Sequence, residues 1–85
     1  MIEDIIGIIK KESKNIWWSF IVKENLLDVR ATFYGRSLDT YVYQHTFQIP
    51  EYTLNEWDYK IAFHIMDFFI NKFNDEYFKV QHEVL

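Results

Sequence analysis

The chain has no cysteine, which excludes a disulfide framework and a thiolate metal site. Small secreted domains commonly depend on such cross-links, so we expect a cytoplasmic protein. No apolar run reaches the roughly 18 to 20 residues that span a bilayer. Residues 1–14 carry acids where a signal peptide has positive charge. The sequence therefore predicts neither a membrane segment nor a cleaved leader.

Glycine, proline and serine are also scarce, and this disfavours an enzyme. Neither Gly7 nor Gly35 belongs to a glycine-rich phosphate loop, which is typical of nucleotide enzymes. None of the three serines lies in the G-x-S-x-G turn that presents a nucleophile. We therefore predict no catalytic residue and no cofactor.

Histidines and paired carboxylates offer the remaining candidates for chemistry. His45, His64 and His82 are separated by 19 and 18 residues, which matches no close metal-ligand spacing. The acidic pairs are typical of helix starts and solvated faces: Glu3/Asp4, Glu56/Asp58 and Asp75/Glu76. We predict no metal site, and keep a small enzyme or ligand-binding domain that uses the histidines as an alternative.

Length and composition indicate one domain over residues 1–85, because 85 residues with 49% hydrophobic side chains suffice for one core. Isoleucines at helical spacing predict a first helix over residues 2–13. Gly7 lies inside this helix at a cost of about 1 kcal/mol relative to alanine, which suggests a close packing contact there. From Ile16 the period changes to two, and short turns separate three two-faced segments. These segments predict an antiparallel meander over residues 16–23, 27–34 and 40–49.

The last third of the chain predicts a long helix. Pro50 ends the third strand, and Thr53 with Glu56 is typical of a capping box. We place this helix from about Leu54 to Phe73. Alternating apolar and polar residues favour a short strand over a further helix for residues 76–85. The predicted fold class is α+β: an N-terminal helix, a three-stranded antiparallel meander, a long helix, then a short strand or helix.

This second helix carries more apolar surface than packing on one sheet requires. Its apolar side chains cover about 240° of the circumference, against the 100° or somewhat more of an ordinary surface helix. We assign one part of the arc to the sheet: Trp57, Ile61, Ile65, Phe68 and Phe69. The remaining part requires the first helix, the tail, a second copy or a target to cover it: Tyr59, Phe63, Met66, Ile70 and Phe73.

A second surplus lies on the sheet. Trp17 and Ile21 point away from the expected core, and Arg30 and Tyr34 lie on the same side of the sheet. These four residues either bind a partner or lie beneath the C-terminal segment. Aromatic residues beside arginine are typical of interface hot spots. We predict that the partner-binding residues lie on this side of the sheet and on the second helix, and that they include two acids of the helix. They are Trp17, Ile21, Arg30, Tyr34, Glu56, Tyr59, Phe63, Met66, Asp67 and Ile70.

Charge bears on the kind of partner. The net charge is −4, and all of it resides in residues 51–85, with seven acids and three bases. A nucleic-acid-binding protein usually presents a basic patch or stripe, and this chain has only a few lysines at the end of the first helix. We therefore expect a protein partner or a second copy of the chain, and no direct nucleic-acid binding.

The helix, three strands and helix resemble two known architectures. One is the double-stranded-RNA-binding domain, but the start of the second helix reads Thr53-Leu54-Asn55-Glu56-Trp57-Asp58, where that family has basic residues. The other is the group of small acidic anti-CRISPR proteins that block CRISPR nucleases.

Phe, Tyr, Ile, Asn and Lys far outnumber Gly, Ala, Arg and Pro, which indicates an AT-rich genome such as that of a low-GC bacterium or its phage.

The sequence thus predicts a non-enzymatic protein-protein interaction module. We expect a phage or mobile-element inhibitor that blocks a host defence or nucleic-acid-processing protein by steric occlusion in the bacterial cytosol. The alternatives are an acidic nucleic-acid mimic similar to anti-CRISPR nuclease inhibitors, and a small homodimeric structural or ligand-binding domain.

Overall fold

The computed structural model describes residues 2–51 and 55–84, with the side chains of residues 2–51 and 56–78. The elements in chain order are α1 (Ile2–Glu12), β1 (Trp17–Lys23), β2 (Leu26–Tyr34), β3 (Thr40–Gln48) and α2 (Asn55–Val84). The strands form one antiparallel sheet in the order β1-β2-β3, so the predicted α+β order is confirmed. None of the described helices combines the length and apolarity needed to cross a membrane.

The predicted C-terminal strand is wrong, because residues 75–84 continue α2. The alternation at Phe78 and beyond resembles a strand, but a helical repeat overlaps it. Phe69, Phe73 and Tyr77 recur every four residues on one helix face, and each contacts an aromatic ring of the sheet. The capping-box residue Thr53 and the expected first residue Leu54 lie outside the described residues.

Helix α1 is fixed to the sheet at its C-terminal end. Acids occupy its first turn and lysines its last, as the helix dipole favours, and Ile5 and Ile9 are fully buried. The N–H of Ser13 donates to the Ile9 carbonyl at 3.0 Å. The indole Nε1 of Trp18 in turn donates to the Ser13 carbonyl at 3.1 Å, which joins the end of α1 to β1.

The core lies between the two helices and one face of the sheet, here called the inner face. Alternate residues of β2 supply the centre of that face, and all four are buried: Leu27, Val29, Ala31 and Phe33. Helix α2 adds buried residues at helical spacing: Ala62, Ile65, Met66 and Phe69. The buried residues of the strand thus recur every two residues and those of the helix about every 3.6 residues, as expected for a sheet covered by helices on one side.

Aromatic rings make most of the contact between α2 and the sheet. Phe69 meets Trp18 edge to face at 5.7 Å between ring centroids. Phe73 stacks on Phe33 at 4.6 Å, in the geometry expected of attractive aromatic pairs.

These contacts correct part of the predicted division of the helix. Phe73 lies on the sheet, although we expected it to need another cover. Trp57 remains 46% exposed, although we assigned it to the sheet. Met66 is buried in the same cluster as Ile5 and Ile9 of α1, and Ile70 packs against that cluster. The apolar arc of α2 is wider than that of an ordinary surface helix because α2 packs on the sheet with one side and against α1 with the other.

The two glycines occupy opposite environments. The close packing contact expected at Gly7 is absent, since a Cβ built there meets nothing within 4 Å. A Cβ at Gly35, in the turn after β2, would lie 3.1 Å from the Tyr41 ring and 3.3 Å from the Tyr77 ring. The glycine is therefore required for packing at Gly35 and not at Gly7.

We expect Gly7→Ala to raise the free energy of unfolding by up to about 1 kcal/mol, because alanine restricts the unfolded chain and favours the helix. Gly35→Ala should lower it by about 1 to 3 kcal/mol, because two rings must move. Chemical denaturation of both variants gives the values. Equal effects of the two substitutions would contradict these environments.

A polar contact joins the edge of the sheet to α2. The Tyr43 hydroxyl donates a short hydrogen bond to Glu76 Oε2. Burial raises the pKa of Tyr43 above its usual value, and the hydrogen bond to the Glu76 carboxylate raises it further. A tyrosine whose pKa is raised in the folded state stabilises the fold fully below its unfolded pKa of about 10, and that contribution falls as pH rises above it.

We therefore expect the free energy of unfolding to fall between about pH 10 and pH 12, and to fall less steeply in Tyr43→Phe. Near neutral pH this variant should lose about 1 kcal/mol, the net value of one hydrogen bond. Denaturation curves at several pH values measure both effects. Tyr34→Phe, at an exposed position, is the matched control. A Tyr43→Phe profile with the wild-type slope would contradict the role of this bond.

Candidate interaction surface

The face of the sheet opposite the helices, here called the outer face, is the principal uncovered surface of the described chain. Both helices pack on the inner face, so neither lies over the outer one. The outer face consists of the odd-numbered residues of β1 and the even-numbered residues of β2 and β3. The alternative in which this face forms a floor beneath the C-terminal segment is therefore wrong.

An aromatic and aliphatic cluster lies at one end of the outer face. The strand register aligns Trp17, Thr32 and Val42 in one row across the sheet. Trp17 is 70% exposed and Val42 is 54% exposed. Tyr34, two residues beyond Thr32 on β2, is a diagonal neighbour of Trp17 and is 56% exposed. This end offers a partner two large rings on neighbouring strands.

A smaller apolar pair lies at the other end of the outer face. Ile21 on β1 pairs with Asp28, and Leu26 is the next residue on the same side of β2. Ile21 is 64% exposed and Leu26 is 39% exposed. The two apolar groups therefore bracket a polar centre.

Arg30 occupies that centre, between Ser19 on β1 and Gln44 on β3. Gln44 Nε2 donates a short hydrogen bond to Asp28 Oδ1, and lies 3.4 Å from Thr46 Oγ1. These contacts link the side chains of Gln44, Asp28 and Thr46 on the outer face. The surface thus has the composition of an interface core, with aromatic residues beside arginine.

The structure separates the predicted partner-binding residues into two groups. Trp17, Ile21, Arg30 and Tyr34 share the outer face. The exposed residues of α2 lie on the other side of the sheet: Glu56, Tyr59, Phe63 and Asp67. One flat partner surface cannot contact both groups, because the whole sheet lies between them.

Two predicted partner-binding residues belong to the interior. Met66 is only 6% exposed. Ile70 is half-buried against the core. Among the alternatives for covering this part of α2, packing against α1 and the core is the one that the structure shows. Tyr59, which is 52% exposed, and Phe63, which is 42% exposed, are left at the surface.

Sequence reasoning did not single out several exposed apolar residues, among them Leu26, Leu38 and Val42. The alternation of β3 already placed Val42 on the outer side, whereas Leu26 precedes residue 27, where we expected β2 to begin. Leu38 gave no such signal, because it lies in the turn between β2 and β3. It is 82% exposed and has a φ of 62°, a left-handed conformation that is unfavourable for a branched side chain.

The described histidines form no reactive constellation. The His45 ring contacts those of Phe47 and Phe68 at 4.8 and 4.6 Å. His64 lines an open cleft of about 300 Å³ with Lys60 and the end of β3. Among the described residues no three His, Cys, Asp or Glu side chains converge as metal ligands. The side chain of His82 lies outside the described residues.

Comparison with known proteins leaves the geometry as the source of any functional conclusion. No family model matches the chain, and neither a curated protein nor a solved structure resembles it significantly.

Proposed function

We propose that the protein is a non-enzymatic protein-protein interaction module that binds its partner through the outer face of the sheet. The observation that carries this proposal is the exposure of Trp17, Ile21 and Tyr34 around Arg30 on a face that neither helix covers. The sheet fixes the backbone positions of these residues, so binding costs little backbone conformational entropy.

The size of this face bears on the affinity. Three strands at about 4.8 Å spacing and seven to nine residues at about 3.4 Å give a plane of roughly 400 Å². A standard interface buries about 800 Å² on each partner. Because side chains project from this plane, its accessible area is larger than 400 Å², but one sheet still provides a small interface by this standard. Strong binding then depends on a few deeply buried anchors, and Trp17 and Tyr34 are the best placed.

Steric occlusion is the mechanism that this surface supports, because no described group supplies chemistry. The exposed acids of α2 lie on the opposite side of the sheet and would orient the approach of a basic partner without direct contact. The origin in a phage or mobile element, and the host defence target, are predictions from composition and topology.

Nucleic-acid mimicry by the acids of α2 stays an alternative prediction. The described geometry supports it less, because Lys60 and Lys72 interrupt the acidic positions and Asp58 is buried. A mimic would lose affinity steeply as salt increases from about 50 to 500 mM, because exposed charges are screened. Binding through the apolar outer face would change little over the same range.

Alanine substitution on the two sides of the sheet tests the proposal. We expect Trp17→Ala to weaken capture of the host partner by about 30-fold, corresponding to about 2 kcal/mol for a central aromatic anchor. Phe63→Ala is the matched control, since it removes an exposed ring from α2, on the other side of the sheet. Affinity pull-down identifies the partner, and titration calorimetry with the purified partner gives the affinities.

The unfolding temperature of Trp17→Ala should stay close to that of the wild type because this ring is 70% exposed, and that of Phe63→Ala should fall slightly because this ring is 42% exposed. Loss of capture in Phe63→Ala together with full capture in Trp17→Ala would place the binding surface on α2 and contradict the proposal.

A further inference from the structure

Strand β3 is an edge strand without the usual protection against pairing. It has one neighbour, β2, and its other side faces away from the sheet. Its nine residues, TYVYQHTFQ, include no charged residue and no proline. Natural edge strands are commonly protected by lysine, proline, bulges or short length. Strand β1, at the other edge, is shorter and ends in Lys23.

Hydrogen bonds at the two ends of β3 define which backbone groups face this edge. The N–H of Ile49 donates to the Asn25 carbonyl at 2.8 Å, and the N–H of Gly35 donates to the Asp39 carbonyl at 2.7 Å. Odd-numbered residues therefore pair with β2, and alternation directs the even-numbered residues to the free edge. These are Thr40, Val42, Gln44, Thr46 and Gln48.

Another extended strand is the protein element that pairs with the whole of such a row of alternating donors and acceptors. Strand β3 is complementary to itself about a two-fold axis through Gln44. In that register Gln44 meets Gln44 of the second copy, Val42 meets Thr46, and Thr40 meets Gln48, all of which are outward-facing residues. On the inner face, Tyr41 meets Phe47 and Tyr43 meets His45. Every cross-strand pair is uncharged, and the inner pairs bring rings together.

The flank of α2 beside β3 fits the same two-fold arrangement. Lys60 and His64 lie near the end of β3, whereas Lys72, Asp75 and Glu76 lie near Tyr43. Two α2 helices related by the axis run antiparallel. Because the axis passes through Gln44, next to Tyr43, the group of Lys72, Asp75 and Glu76 on one copy lies alongside the same group on the other, with Lys72 of each copy towards the acids of its partner. Opposite charges at these positions favour this pairing.

There is also room for two helices. Phe69 contacts both Trp18 on β1 and Phe47 on β3, and Phe73 contacts Phe33 on β2 and Tyr41 on β3. Helix α2 therefore lies over the middle of the sheet and towards β3. With strands about 4.8 Å apart, two helices centred between β2 and β3 would be separated by about 10 Å, which is normal for packed helices.

We propose that two copies of this chain pair antiparallel through β3 and form a continuous six-stranded sheet, with the α2 helices side by side on its inner face. The pairing doubles the outer face to roughly 800 Å², the area of a standard interface on one partner. The dimer uses the edge of the sheet and leaves Trp17 uncovered, so it stands or falls independently of the proposed partner surface.

A charge at the two-fold axis tests this dimer. We expect sedimentation equilibrium to give twice the 10.5 kDa chain mass at high concentration for the wild type. Gln44→Lys should weaken the dimer by at least tenfold, because two lysines then face each other across the axis. Ser19→Lys is the matched control, since Ser19 lies in the same row of the outer face but on β1, and it should leave the dimer unchanged.

Val42→Pro provides a second variant that should fold, because the outward N–H of Val42 is not used within the chain. It should also weaken the dimer. Hydrogen exchange gives an independent measure: the amides of Val42, Gln44 and Thr46 should be protected only at concentrations where the dimer forms.

Three results would overturn the proposal. A wild-type chain that stays monomeric at millimolar concentration has no association stronger than about −4 kcal/mol. A dimer that is lost in Ser19→Lys and kept in Gln44→Lys is formed through another surface. Protection of the outward amides that requires a different protein identifies a foreign strand as the occupant.

Discussion

The architecture depends on one constraint: both helices pack on the same face of a three-stranded sheet. The repeat Phe69, Phe73 and Tyr77 on α2 provides the contact, and each ring meets an aromatic residue of a different part of the inner face. Helix α1 fills the space beside α2. Because no further described element is left to cover the sheet, the outer face and the β3 edge are direct consequences of this layered packing.

Much of this fold could be predicted from local sequence patterns, because helices and strands differ in period and short turns impose antiparallel pairing. Residues 75–84 were harder, since alternation from Phe78 onward competes with the four-residue repeat that ends at Tyr77. Only contact of Tyr77 with Tyr41 shows which pattern determines the structure. Similarly, Gly7 suggested tight packing, yet it lies in open space.

The candidate surface was predictable in composition and less so in arrangement. Alternation placed Trp17, Ile21 and Tyr34 on one side of the sheet, and the structure agrees. Predicting that Trp17 and Val42 lie in one row requires the strand register. The register depends on turn lengths and on the left-handed residues Glu24 and Leu38. Predicting the burial of Met66 requires knowing how α1 packs against α2, and no local sequence pattern contains that information.

The length of α2 also affects how the molecule moves through solution. Its thirty residues extend about 45 Å and define the long axis of a particle measuring 48 × 22 × 20 Å. The radius of gyration is 14.2 Å, compared with about 12 Å for a compact chain of this length. Greater friction makes such a rod-like monomer diffuse slowly and elute early from a sizing column. Its apparent mass by elution therefore exceeds its true mass, whereas light scattering and sedimentation equilibrium are free of this effect.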